Sequence, residues 1–171
     1  STEFNDTPQL TPRPFDNQRD GLVVGEGAGA LLLEEYEFAK KRDATILAEI
    51  IGFSCNNNGG DLILPNIDGI TATIKLGLKD AGIGPDSVDF VSAHATGTKM
   101  GDVIEAQAMG RVYGKSPVVT GLKSYMGHTM GSCGAIEMMI TSYMMEEGFI
   151  APTLNLENID ERCNMINHAQ E

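Results

Sequence analysis

Cations are scarce in this chain. Its 171 residues include 12 lysines and arginines against 24 aspartates and glutamates, a formal charge of -12. A nucleic-acid surface needs a basic patch to neutralise phosphates, so this balance argues against that class of function. It argues equally against an anionic membrane surface, while leaving room for a local basic patch that receives an acidic partner. Cysteine is scarce too. Cys55, Cys133 and Cys163 form an odd, scattered set with no C-x-x-C pair. That pattern speaks against a disulfide framework or a thiolate zinc site and points to a reducing compartment. No apolar run approaches the ~20 residues of a membrane span, and the opening "STEFNDTPQL" has neither a basic nor an apolar leader region. The expectation is a soluble, cytoplasmic protein.

With 42% hydrophobic and 21% charged residues, the chain has the make-up of one ordered domain with a real core. The first twenty residues are polar, hold three prolines and read as an entry segment. "GAGALLLEE" (27–35) and "ILAEIIGF" (46–53) read as strands, with a short charged helix, "YEFAKKRD" (36–43), between them. Residues 54–66, "SCNNNGGDLILPN", are dense in turn formers and read as a loop. From Asp68, a plausible helix cap, Ile70, Ile74, Leu76 and Leu78 set a helical period that ends at the glycine of "DAG" (80–82).

The remainder alternates. "VDFVSAH" (88–94) is an expected strand, and "GDVIEAQAMGRVYG" (101–114) an expected helix with Asp102 and Glu105 in the D-x-x-E spacing of a capping box. "PVVTGLKS" (117–124) reads as strand and "GSCGAIEMMITSYMMEEG" (131–148) as helix. The implied class is an α/β layered domain. Two strand-to-helix junctions share a design, each with a histidine among glycines: "HATGTKMGD" carries His94 and "YMGHTMG" carries His128. Ligands gather at the carboxyl ends of strands in such sheets, where helix N-termini offer free N–H groups, so the two histidines are placed to converge on one pocket.

Each candidate has a plainer alternative. "GEGAGA" (25–30) fits the spacing of a dinucleotide fingerprint, but a strand-like rather than helical segment follows, so its glycines are expected to allow close backbone packing. His94, His128 and Cys133 lack the close pair spacing of a structural metal site, and no metal is expected. Cys133 beside His128 could be a thiol–imidazole pair. It lies among small residues at a helix start, though, and is expected to act as a compact packing residue. Each histidine, taken alone, fits a hydrogen-bonded strand end as well as a catalytic role. Lys123 has the look of a solvated side chain, and Met138, Met139, Met144 and Met145 of core fillers.

Taken together, four blocks resemble one family: "RPFDNQRDGLVVGEGAGALLLEEYEFAKKR" (13–42), "HATGT" with "GDVIEAQA" (94–98 and 101–108), "GLKSYMGHTMGSCGAIE" (121–137) and "APTLNLENID" (151–160). They are similar, in order and over nearly the whole chain, to the β-ketoacyl-acyl-carrier-protein synthases of fatty-acid and polyketide synthesis. The resemblance implies a thiolase-like, layered α/β/α fold of two duplicated halves, with residues 1–171 a partial C-terminal ketoacyl-synthase domain truncated at both ends. It implies an acyltransferase that performs decarboxylative Claisen condensation of a malonyl thioester with an acyl chain held on a cysteine. His94 and His128 would bind the malonyl thioester oxygen, with Lys123 and Glu105 orienting or tuning them. Thr96 and Thr98 would hold the phosphopantetheine arm. No cofactor beyond that carrier arm is implied; the expected partners are acyl carrier protein and a second synthase subunit, as homodimer or paired heterodimer.

Departures accompany the likeness. Nothing matches the family's nucleophilic-cysteine motif, so the isolated chain is expected to be inactive. Ala95 stands where many relatives have glycine, Lys99 where proline is common, and Asp61 about where a loop histidine falls among elongating synthases. The alternative reading is a non-catalytic, chain-length-determining partner subunit; the presence of both histidines favours the enzyme.

Overall fold

The computed structural model describes residues 1–61 and 64–170. Two positions of the expected 54–66 loop, 62 and 63, lie outside the described residues. The regular elements are α1 (Tyr36–Lys41), α2 (Ile67–Ala81), β1 (Phe90–Ser92), α3 (Gly101–Tyr113), β2 (Val118–Thr120), α4 (Lys123–Met126), α5 (Cys133–Glu147) and β3 (Asn167–His168). The strands form one parallel sheet in the order β1-β2-β3, with Val91 opposite Val119 and Val119 opposite His168. The α/β reading is therefore correct. The two histidine junctions leave adjacent parallel strands at the same end.

The helices form where the periodicity places them. In α2 the cap is Asn66, whose side chain accepts from Gly69 N–H, rather than Asp68. Asp68 lies in the first turn, and its carboxylate accepts from Arg111 on α3 instead. Gly82 ends α2 in the left-handed region at φ 69°, a conformation that glycine adopts without penalty. α2 packs on α3, and the core between α3 and the sheet gathers Phe15, Ala93, Val103, Ala106, Met109, Val119, Cys163 and Ile166.

Two expected strands do not form ladders. Residues 27–35 and 46–53 run without assigned secondary structure, apart from an isolated bridge just before the first, between Val24 and His128. Their composition is right for strands, but among the described residues no neighbouring strand supplies the N–H and C=O partners a ladder needs. One apolar face is left open, with Leu32 81% and Phe53 73% exposed. The inner face of the first segment is backbone. A β-carbon at Gly25 would collide with the Met126 carbonyl, and one at Gly29 would come within 3.1 Å of Ala135 Cβ. The glycines of "GEGAGA" thus serve close packing, as their context predicts. Of the α5 methionines, Met144 alone is buried; Met138, Met139 and Met145 are exposed on the outer side of the helix, contrary to the expectation of core fillers.

The entry segment is not a surface loop. Arg13, Phe15, Asp16 and Arg19 are buried. Asp16 accepts from Arg13 Nε and from the backbone N–H groups of Gln18, Glu157 and Asn158. Arg19 donates to the Thr98 and Lys99 carbonyls and to Asp160. These charges tie the start of the chain to the 94–99 loop and to residues 157–160. Hydrogen bonds from Arg13 and from backbone amides outweigh the opposing effect of burial and hold the Asp16 carboxyl below its usual range. Asp16→Ala leaves Arg13 short of its partner and three amides without an acceptor. The expected loss is about 3–5 kcal/mol of stability, read by urea denaturation; a loss below about 1 kcal/mol would contradict this role.

Candidate active site

The 94–98 loop is held from α3. Glu105 and Asp102 stand three residues apart on that helix, one turn, and both face the loop. Glu105 accepts from His94 N–H and Ala95 N–H, one on each carboxylate oxygen, both at 2.7 Å. Asp102 accepts from Gly97 N–H at 3.0 Å and from Phe15 N–H at 2.9 Å. The capping-box expectation is thereby corrected. The N-cap residue of α3 is Met100, which makes no side-chain cap, and the D-x-x-E carboxylates reach across to a neighbouring loop. The clamp holds Ala95 at φ 36°, a strained value for a residue with a β-carbon, and Gly97 at φ 77°. Burial pushes Asp102 up to about 6 and Glu105 up to about 7, against the pull of the amides that bind them. In the bidentate arrangement at Glu105 both oxygens are acceptors, which is the bonding of the ionised form. Thr96 and Thr98 project from the same loop with their hydroxyls 3.1 Å apart.

The second junction is built differently. His128 is fixed on both backbone groups: its N–H donates to Val23 O at 2.7 Å and its carbonyl accepts from Gly25 N–H at 3.0 Å. Gly127, at φ 71°, lets the chain approach that segment; a β-carbon there would sit 2.9 Å from Val23 O. On the side chain, Met130 N–H donates to His128 Nδ1 at 3.0 Å. That bond assigns the neutral tautomer: Nδ1 carries the lone pair and Nε2 the proton. Cys133 Sγ also lies 3.3 Å from Nδ1.

The two imidazoles meet. The His94 and His128 ring centroids are 5.3 Å apart with the planes at 88°. Lys123 is not solvated. It is 1% exposed and donates from Nζ to Glu137 Oε1 at 2.5 Å. Crowding by protein, then the positive charge of Lys123, push His94 down to about 4. The ring keeps an open face to solvent. The site thus sets a His94 ring biased toward its neutral form beside a His128 ring whose Nε2 carries a proton, an arrangement able to donate two N–H bonds to one oxygen that gains negative charge. Among the described residues, no group of three or more His, Cys, Asp or Glu side chains converges to hold a metal.

Comparison with known proteins follows the same blocks. The model of the beta-ketoacyl synthase C-terminal domain matches residues 47–157. The chain belongs to the β-ketoacyl synthases. The N-terminal-domain model of the same family matches residues 4–39. The chain is 42% identical to 3-oxoacyl-[acyl-carrier-protein] synthase 2 of Coxiella burnetii, over 94% of its own length and 40% of that protein. Among solved structures it superposes on a β-ketoacyl synthase from Burkholderia phymatum with a TM-score of 0.94 and 45% identity, covering 100% of this chain and 42% of that one. It also superposes, with a TM-score of 0.87 and 34% identity, on a type II PKS acyl-carrier protein in complex with its ketosynthase bound to the hexaketide; the match covers 95% of this chain and 42% of that one. The fold is thus that of the ketosynthases, thiolase-like, and the chain spans about two fifths of the length of the relatives it matches.

Within this β-ketoacyl synthase segment the expected residues fall into two groups. His94 and His128 face one another, with Lys123 close enough to act on His94 through its charge. Glu105 reaches the backbone of His94 rather than its ring. Three contributors escaped the sequence reading: Glu137 as the partner of Lys123, Asp102 as the second clamp, and the Met130 amide that sets the His128 tautomer. Glu137 left no local signal in the sequence, because no acid stands within four residues of Lys123. No helix among the described residues is long and apolar enough to cross a membrane.

The depressed His94 yields a direct expectation. In an NMR titration His94 stays neutral from pH 8 to pH 5, where an unperturbed imidazole of pKa about 6.5 is mostly protonated. Lys123→Met removes the positive charge that disfavours the cation, so the midpoint rises. An unchanged midpoint in that variant would remove Lys123 from the control of His94.

Proposed function

We propose that the protein carrying this chain is a 3-oxoacyl-[acyl-carrier-protein] synthase that performs decarboxylative Claisen condensation of a malonyl thioester with an acyl thioester. The observation that carries this reading is the facing pair of imidazoles, His94 and His128, at the ends of neighbouring parallel strands. When the malonyl C–C bond breaks, carbon dioxide leaves and the electron pair passes through the enolate to the thioester oxygen. Donors already aimed at that oxygen stabilise the transition state more than the substrate, because they need no reorganisation as charge develops. His128 donates from Nε2, whose proton follows from the Met130 bond to Nδ1. His94 supplies the second donor, and Lys123, held by Glu137, keeps it neutral. Glu105 fixes its backbone. Thr96 and Thr98, on the same loop, hold the phosphopantetheine arm of the carrier protein.

The enolate carbon then attacks the thioester carbonyl of an acyl group carried on a cysteine supplied outside residues 1–171, and the C–S bond breaks to release that cysteine as its thiolate. None of the three cysteines here suits that role. Cys163 is fully buried with its thiol pushed up to about 12, Cys133 is buried behind His128, and Cys55 lies in a turn-rich loop without the helix-start motif of a family nucleophile. Residues 1–171 are accordingly part of a ketoacyl synthase, with the C-terminal-domain match at 47–157 and a piece of the N-terminal domain at 4–39, inactive in isolation. The open apolar faces of 27–35 and 46–53 support that division, as surfaces of this kind need a covering layer. Transfer of labelled acyl groups onto the isolated chain would contradict it. The partners are acyl carrier protein, as in the polyketide complex of similar fold, and a second synthase subunit. No cofactor is required beyond the carrier arm, and the setting is the cytoplasm. A non-catalytic partner subunit has no use for two facing imidazoles with fixed donors, which favours the enzyme.

His128→Ala removes one of two donors to the developing oxyanion. Release of labelled carbon dioxide from malonyl-carrier protein is expected to fall by ~10²–10³. Release at the unaltered rate would exclude His128 from the chemistry.

A further inference from the structure

Cys133 takes no part in the mechanism above, yet it touches the group on which that mechanism depends. It opens α5, is buried, and places Sγ 3.3 Å from His128 Nδ1. Thr129 Oγ1 donates to the same sulfur, also at 3.3 Å. A third contact decides the direction of the first. Nδ1 accepts the Met130 N–H at 3.0 Å, so it is an acceptor whose one lone pair the two groups share, and the thiol is the donor toward it. The order is Thr129 O–H to sulfur, then S–H to Nδ1.

The Met130 amide is enough to select the tautomer. It is less able to fix the plane of the ring, because the χ2 torsion of histidine is broad and roughly two-fold. Met130 also sits at φ 54°, so the backbone that aims this amide is strained. A second donor from the first turn of a 15-residue helix restrains the ring from a more rigid support. We infer that Cys133 is a positioning residue: the Thr129–Cys133 relay, together with the Met130 amide, locks the His128 ring so that Nε2–H is held toward the reacting oxygen. The inference rests on the proposed malonyl chemistry for its purpose, though not for its geometry.

Two readouts on the full-length protein test it. With 15N-histidine labelling, wild-type His128 is expected to show an unprotonated Nδ1 and a protonated Nε2. In Cys133→Ala the Nδ1 resonance moves toward that of a less hydrogen-bonded lone pair, and in Cys133→Ser, which keeps a hydroxyl donor, it moves back. Malonyl decarboxylation in Cys133→Ala loses about two- to fivefold in kcat with KM unchanged, as expected for one modest hydrogen bond that acts in the transition state, and serine restores it. An Nδ1 resonance that is identical in wild type and Cys133→Ala, or a wild-type ring protonated on Nδ1, overturns the relay. A protein that shows the resonance shifts but releases no carbon dioxide keeps the relay and overturns the malonyl reading instead.

Discussion

Two carboxylates on one turn of α3 hold the site in shape. Asp102 and Glu105 accept amide hydrogens from Phe15, His94, Ala95 and Gly97, and so join the entry segment, the core and the loop after β1. Without them, the positive φ at Ala95 would relax and His94 would lose its heading. The cost is the burial of two acids, visible as their upward-shifted protonation. Arg19 lies 3.6 Å from Asp102 and offsets part of that cost, which explains why "RPFDNQRD" is drawn into the interior.

The second histidine relies on residues 23–25 and on α5. Val23 and Gly25 grip its backbone, Met130 and Cys133 its Nδ1, and Glu137 on α5 holds Lys123 beside the pair. The two rings are brought together by parallel pairing of β1 and β2 and by residues 19–25, where Arg19 holds the Thr98 and Lys99 carbonyls and Val23 and Gly25 hold His128. Two of the described non-glycine residues with positive φ flank the site: Ala95 adjoins His94 and Met130 lies two residues past His128.

Much of this was legible in the sequence, by identifiable physics. The helical period from Ile70 to Leu78, the terminating Gly82 and the alternation from residue 88 onward gave the class and the convergence of the histidines. Packing by the "GEGAGA" glycines followed from what comes after them. Three misreadings share one cause, unlike the local shift of the α2 cap from Asp68 to Asn66. Local rules assigned Asp102 and Glu105 to their own helix, Lys123 to solvent and 27–35 to a ladder. In each case the deciding partner is distant: the 94–98 loop, Glu137, and a neighbouring strand absent from the described residues. Spacing within a helix identifies which side chains share a face, but not which loop that face meets. The Lys123 environment shows the limit well, since nothing within four residues of it hints at an acid.

The central claim is that His94 and His128 donate together to one oxygen. It is tested most directly by a crystal structure of the full-length protein with a non-hydrolysable malonyl-pantetheine analogue. The account predicts the thioester oxygen within about 2.7–3.1 Å of a ring nitrogen of both histidines, with His128 using Nε2. An oxygen bound by neither ring, or by backbone amides in their place, would contradict it.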